Sequence, residues 1–416
     1  MRKSNGFRWK ALSQRQKQVL SWWTPQSAYS GYNGIIADGA IRSGKTFAMS
    51  FSFVQWGMTC YNGQQFAMCG KTIASFRRNV LGTLKQQLAA RGYSVKEHRA
   101  ENCMTVSKGG KTNEFYFFGG KDESSQDLIQ GITLAGAFFD EVALMPQSFV
   151  NQATARCSVT GSKFWFNCNP GSPQHWFYLE WVRKCRSRRM MYLHFTMDDN
   201  LSLSEDIKAR YRSQYSGVFY QRYILGLWTV AEGLVYDMFD RKKHVVDKLP
   251  ELSPKSAYVA CDFGTQNATV FLLIQKQSAS ACFWIVTREY YYSGREQKRQ
   301  KTVGEYVTDL KAWLGGIKPE RVIVDPSALP LITELRKNGF TQIQANNDVL
   351  SGILDVQTML QTGRLKIYKD CKHTLEEFGV YAWDPDKDDT VLKVNDHCMD
   401  AIRYFVRTKR LVKLRD

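Results

Sequence analysis

The stretch Gly39-Ala40-Ile41-Arg42-Ser43-Gly44-Lys45-Thr46 decides how the first half of this chain is read. It fits the pattern G-x-x-x-x-G-K-[ST] without a mismatch. Residues 33–38 (NGIIAD) before it read as a buried strand, and residues 46–59 after it as a helix. That context gives the pattern a physical meaning. Glycines let successive N–H groups turn inward around phosphate oxygens, and the helix N-terminus adds positive partial charge. Lys45 is then placed to reach β- and γ-phosphates and Thr46 to ligate Mg²⁺, with Gly39, Ser43 and Gly44 lining the cradle. Arg42 adds a cation inside the loop. The plain alternative is a glycine-rich turn that only looks like a phosphate loop.

A phosphate loop needs an acidic partner on a nearby strand. Residues 135–139 (AGAFF) read as that strand and deliver Asp140-Glu141 at its end. Asp140 would hold Mg²⁺ through water and Glu141 would polarise an attacking water; alone, the pair reads equally well as a helix cap. Residues 163–167 (KFWFN) are another strand, and Asn167-Cys168-Asn169-Pro170 follows it. Polar groups there would face a γ-phosphate, or simply form a turn. Upstream, Gln16 either pairs its amide with an adenine edge or is a solvated helix residue.

The remainder of the first half alternates in the same way. Residues 65–70 and 114–118 read as strands and 73–92 as a helix, a succession that argues for a parallel α/β sheet. Residues 198–228 look helical and are rich in Tyr and Arg. A polar basic stretch with Pro250 and Pro254 follows, and the domain boundary is placed there. Strands then recur at 257–262, 268–274, 282–291 and 321–325. Helices are expected at 303–313, 329–338, 349–361, 373–383 and 396–407, making a second, mixed α/β domain.

In that second half Asp262 and Asp325 each end an apolar strand (YVACD and RVIVD), and Asp400 lies in the last helix. Three such carboxylates can hold two Mg²⁺ or Mn²⁺ ions about 4 Å apart, one activating water and the other stabilising a leaving 3′-oxygen. Asp396 and His397 share a helical face with Asp400. Each aspartate alone reads as a turn residue or a cap. Asp237, Asp240, Asp348 and Asp355 are not brought to strand ends and are left out.

Composition sets the outer limits. The 416 residues carry 57 Lys and Arg against 39 Asp and Glu, a formal charge of +18, with 44% hydrophobic residues. This excludes wholesale disorder and suggests a polyanionic partner. The ten cysteines contain no CxxC pair, which argues against a zinc ribbon and for a reducing compartment. The N-terminus has no signal-peptide core, and no run of about 18 apolar residues would span a membrane. Nucleic acid is therefore the expected partner.

Taken in order, the loop with its internal Arg, the DE pair, the Asn-Pro turn and the three aspartates resemble the large terminase subunit of tailed bacteriophages. The stretches DGAIRSGKT, FFDEVALMP, NCNPGSPQHWF and DHCMDAIRYF carry the resemblance, which runs along nearly the whole chain. It implies an ASCE-type P-loop ATPase domain (1–197), a helical linker (198–250) and an RNase H-like nuclease domain (251–416). It matches Lys45, Thr46 and Arg42 to the ATP–Mg²⁺ contacts, Glu141 to the catalytic glutamate, Asn169 to the coupling motif and Gln16 to adenine recognition. Asp262, Asp325 and Asp400 match the metal ligands of the nuclease, with His397 auxiliary. Gln130-Gly131-Ile132 shows no Arg where some members carry a trans-acting finger, so Arg77, Arg78 and Arg156 stand as candidates. The implied partners are double-stranded DNA, the portal protein of a procapsid, a small terminase subunit and further copies in a ring, expected as a pentamer. The implied place is the host bacterial cytoplasm, transiently at the portal vertex. Two other readings compete: a P-loop helicase or translocase whose second domain only binds DNA, and a non-enzymatic, ATP-gated DNA scaffold.

Overall fold

A computed structural model describes residue 7 and residues 9–264, 267–278 and 283–412. Cys282 and residues 413–416 lie outside this range; the other nine cysteines are free. The chain divides into two compact units. The first comprises Met1–Arg212 and Tyr220–Val230, the second Ser213–Phe219 and Ala231–Asp416.

In the first unit eight strands form one sheet. They are β1 (Gly34–Gly39), β2 (Gln65–Gly70), β3 (Ser94–His98), β4 (Cys103–Lys108), β5 (Lys111–Gly119), β6 (Gly136–Phe139), β7 (Lys163–Asn167) and β8 (Met190–Phe195). Their order is β3-β4-β5-β2-β6-β7-β1-β8. From β5 to β8 every pairing is parallel, while β3 and β4 add an antiparallel edge. One strand, β7, separates the loop-bearing β1 from the acid-bearing β6, so the acids are not on the immediate neighbour of β1.

Side chains alternate across this sheet because successive Cβ atoms point to opposite faces. Trp165 packs on one side with Trp22, Phe53 and Trp56. Phe166 packs on the other with Phe139, Phe177 and Trp181. Helices Gln14–Ser21 and Lys45–Cys60 belong to the first layer.

The second unit holds β9 (Val245–Val246), β10 (Leu252–Asp262), β11 (Ala268–Gln277), β12 (Trp284–Ser293), β13 (Arg321–Val324), β14 (Gln342–Gln344) and β15 (Leu365–Tyr368), in the order β14-β13-β10-β11-β12-β15-β9. The hairpins β10–β11 and β11–β12 are antiparallel. Strand β13 joins β10 in parallel, with Cys261 opposite Val324. One register step further, Asp262 and Asp325 leave adjacent strands at the same end. Helices Val303–Leu314 and Leu329–Lys337 cover one face through Leu310 and Leu331. The last helix, His397–Thr408, packs against β10 and β11.

The stretch 198–250, expected as a helical linker region, is shared between the two units and carries several short helices. Helix Glu205–Gln214 stops, a short helical stretch ends at Ile224, and no helix continues to Asp240. Gly217 and Gly226 sit at positive φ (50° and 73°), a conformation that interrupts a right-handed helix.

Candidate functional site

Strand β1 runs straight into the phosphate loop, and the helix beginning at Lys45 starts from Gly44 in the left-handed region (φ 81°). Lys45 is buried. Its Nζ donates to Gly39 O (3.0 Å), Ala40 O (2.7 Å), Ser43 Oγ (3.2 Å) and Asn169 Oδ1 (3.2 Å). Burial pushes its pKa down to about 8, opposed by the fields of Cys168, Asp38, Asp140 and Glu141.

Thr46 follows, and its hydroxyl donates to Asp140 Oδ1 at 2.9 Å. Asn167, at the end of β7, ties the two sides together. Its Nδ2 donates to the same Asp140 oxygen (2.9 Å) and to Thr46 Oγ1 (3.3 Å), and its Oδ1 accepts from Glu141 N (2.9 Å). Burial raises the Asp140 carboxyl. Burial, then the Asp140 charge, raises Glu141. Glu141 itself stands at φ 59°, ψ 47°. For a non-glycine residue that conformation costs about 1–3 kcal/mol and is tolerated where the surroundings impose it. The hydroxyl and carboxylate oxygens of Thr46 and Asp140 form a hard donor pair at the helix head that suits Mg²⁺.

The remaining expected residues take definite places. Arg42 is exposed at φ 56°, with its carbonyl accepting from Asn200 Nδ2 (2.8 Å) and its guanidinium 5.7 Å from the Tyr211 ring. Gln16 is only 4% exposed, so the solvated reading does not hold. Its Oε1 accepts from Ser13 N (3.0 Å), and a Cβ at Gly44 would fall 2.5 Å from its Nε2, which places the amide against the loop. Among the arginine candidates, Arg77 is engaged by Asn102 and Glu97 (3.0 and 3.2 Å), whereas Arg78 is exposed and bonds its neighbour Asn79 (3.2 Å). The Nε of Arg156 is buried without a hydrogen-bond partner among the described residues.

In the second unit His397 Nδ1 donates to Asp262 Oδ2 at 2.8 Å. Burial raises the Asp262 carboxyl against that bond. Burial opposes the charged form of His397 too, but the bond to Asp262 and the nearby acids hold it above its ordinary value. Asp400 is buried; its Oδ1 accepts from Arg403 (2.9 Å) and its Oδ2 from Lys393 Nζ (3.1 Å), which also reaches Asp396 (2.9 Å). Asp325 accepts from Ser327 N (2.8 Å). Burial works against its charge, yet Ser327, Tyr404 and Asn347 hold the carboxyl below its usual range.

After burial, the charges of Asp400, Asp262 and Asp325 raise the Tyr404 phenol. These acids do not stand as one ligand cluster. Among the described residues no three His, Cys, Asp or Glu side chains are grouped to hold a metal ion. Each carboxylate is engaged by a partner of its own: His397, Lys393 with Arg403, or the Ser327 amide. The chemistry of the donor set, hard carboxylate oxygens at two strand ends and a helix, suits Mg²⁺ or Mn²⁺.

Asn167 stands at the strand end where polar groups are expected; three further residues, Asp38, Glu377 and Lys393, have no such reading in the sequence. Asp38 lies at the end of an expected strand, so its position is the available signal. Glu377 is buried and accepts from Cys398 and Met399 N–H (2.7 and 3.1 Å), capping the helix that carries His397 and Asp400; burial lifts it to about 7. Lys393 left no periodic signal. Of the acids set aside, Asp240 and Asp348 cap helices and Asp355 pairs with Arg407 (2.9 Å).

Residues 36–243 match the family model "Terminase large subunit, T4likevirus-type, N-terminal", and residues 260–408 match "Terminase RNaseH-like domain". The large terminase of a thermophilic bacteriophage superimposes with a TM-score of 0.89 at 53% identity, covering 96% of this chain and 99% of that one. The same thermophilic phage protein solved in complex with ADP gives 0.85, with the same identity and coverage. The large terminase subunit of Salmonella phage P22 is 22% identical over 307 residues, 68% of this chain and 57% of its own length. That of Escherichia phage T5 is 23% identical over 229 residues, 51% of this chain and 50% of its own length. The chain thus spans about half the length of these two curated relatives. No helix among the described residues is long and apolar enough to cross a membrane.

Proposed function

This chain belongs to the terminase large-subunit family, with an α/β P-loop ATPase unit followed by an RNase H-like unit, and from that premise we propose that it hydrolyses ATP to drive double-stranded viral DNA into a procapsid and cuts concatemeric DNA with a metal-dependent nuclease. One observation carries the first half: at the loop Lys45 bonds Asn169, and the next residue, Thr46, is hydrogen-bonded with Asp140 and Asn167, which also holds Glu141 N. When bound there, Mg²⁺ supplies charge neutralisation between the phosphates. The chain's own residues do the rest. Lys45 leaves its loop carbonyls for phosphate oxygens, and Thr46 and Asp140 would hold the ion. Glu141 takes the proton of the attacking water. Asn169, bonded to Lys45, senses which phosphate is present, Arg42 adds charge at the loop mouth, and Gln16 reads adenine.

In the second unit Asp262, Asp325 and Asp400 would hold Mg²⁺ or Mn²⁺, which when bound would supply an activated water and leaving-group stabilisation. His397 orients Asp262. The +18 charge supports a duplex held by its phosphates with little base reading. The partners follow from the family: a portal protein, a small terminase subunit and a ring of copies, pentameric, working in the host cytoplasm at the procapsid portal vertex.

A second reading, a DNA translocase whose second unit binds DNA without cutting it, is favoured by the separately engaged acids. Plasmid cleavage with Mn²⁺ decides between the two. Cleavage lost in Asp262→Ala and Asp325→Ala supports the nuclease; cleavage that survives both removes it. ATP turnover unchanged in Lys45→Ala and Glu141→Ala removes the ATPase site.

A further inference from the structure

Asp38 is fully buried, one residue before the loop opens. Its carboxylate accepts three hydrogen bonds: from Tyr192 Oη (2.8 Å) and Trp228 Nε1 (2.7 Å) on one oxygen, and from His194 Nδ1 (3.1 Å) on the other. Tyr192 and His194 lie two apart on β8, and His194 pairs with Asp38 in register. A carboxylate held wholly out of water is tolerated only while such donors stay in place. One donor, Trp228, comes from the segment Tyr220–Val230.

That segment is fastened to the nucleotide loop at several points. Ile41 N donates to Tyr223 O at 2.8 Å. Gly226, at φ 73°, lies so close that a Cβ there would fall 2.7 Å from both Ala40 N and Gly39 Cα. Thr229 N donates to Gly171 O (3.2 Å) in the turn that begins with Asn169, the partner of Lys45. At Ala231 the chain passes into the second unit. The segment is therefore a strap that touches both the phosphate loop and the Asn169 turn, and continues covalently into the other unit.

We propose that this strap, locked through Asp38 and Trp228, transmits the nucleotide state of the loop to the second unit. Asp38 and Trp228 are positioning residues; neither touches a phosphate. The inference rests on the ATPase reading above. Binding pulls Lys45 away from Gly39 O, Ala40 O and Asn169, so the two elements under the strap shift together. The Asp38–Trp228 bond makes the strap follow them.

The test uses the full chain. Trp228→Phe removes the donating N–H and keeps a ring against Tyr178, 4.9 Å away in the native protein. Basal ATP turnover and ATPγS affinity should stay within about twofold, while duplex-DNA stimulation of turnover falls about tenfold, the weight of one hydrogen bond to a buried charge. Tyr192→Phe removes a bond to the same oxygen without touching the strap and should keep the stimulation, a separation that simple destabilisation would not produce. In protein carrying 5-fluorotryptophan, the ¹⁹F resonance missing from Trp228→Phe should move between the ADP and ATPγS states. Asp38→Asn reads the same coupling should Trp228→Phe fail to fold. Full stimulation in Trp228→Phe, equal losses in Trp228→Phe and Tyr192→Phe, or a stationary Trp228 resonance each overturn the proposal. Absence of ATP turnover in the native chain would instead overturn the ATPase reading itself.

Discussion

The buried ammonium of Lys45 makes nucleotide affinity dependent on pH in a range where most lysines are indifferent. Burial holds its pKa at about 8 in the free protein. Four groups face it: Asp38 from β1, Asp140 and Glu141 after β6, and Cys168 after β7. Phosphate binding requires the protonated form, so apparent affinity scales with the protonated fraction. From about pH 7 to about pH 9 that fraction falls from roughly nine-tenths to roughly one-tenth, so the Kd for ADP should rise about tenfold, or about 1.4 kcal/mol. The sign for stability is the opposite. The folded-state value lies below the unfolded one, so burying the charge destabilises the protein at pH below about 8, and that penalty is relieved as pH rises from there toward the ordinary lysine value. Calorimetric titration with ADP across this range is the assay, with Lys45→Arg as control because guanidinium stays charged throughout. A flat native profile, or the same slope in Lys45→Arg, would refute the reasoning by showing that another group titrates.

Glu141→Gln should lower kcat for ATP about a hundredfold to ten-thousandfold, the usual weight of a positioned base, while ADP affinity measured by calorimetry holds. Asp262→Asn and Asp325→Asn should each abolish Mn²⁺-dependent plasmid nicking on gels without changing the circular dichroism spectrum. A fragment beginning at Ala231 should melt higher than one beginning at Glu251, because Tyr236 is buried against Phe378 and Tyr381 in the second unit. Losing a core aromatic of this kind costs about 3–5 kcal/mol, visible by calorimetry as a drop of at least about 5 °C.

Much of the fold was legible where one physical signal acts alone. Strands at residues 65–70 and 163–167 and the helix at 349–361 fall as expected, because buried strands are apolar runs and amphipathic helices repeat every three to four residues. The edge hairpin of β3 and β4 was not seen: SVKEH has no buried face to impose a pattern, and its pairing with β4 is decided by backbone bonds to a neighbour distant from the loop. At 198–228 the Tyr and Arg spacing corresponds to helix at Glu205–Gln214 and a short helical stretch ending at Ile224, whereas Gly226 and the bonds to Ile41 and Gly171 turn the chain that follows into a strap. For Gln16 the polar surroundings leave adenine pairing and solvation both open; its burial, with its amide against Gly44 of the loop, is decided by the fold.

By itself the amino-acid order determined the nucleotide loop, its acid pair and the strand-end aspartates. These depend on contiguous residues whose backbone conformation and chemistry are local. Tertiary structure alone decided which groups share those sites: Asn167 bridging Thr46 to Asp140, Trp228 reaching Asp38 across 190 positions of chain, and Lys393 standing between Asp396 and Asp400. Such pairings are set by strand order and by the desolvation of charge. A buried carboxylate takes whichever donors the packed fold brings within about 3 Å, and no spacing along the chain encodes that choice.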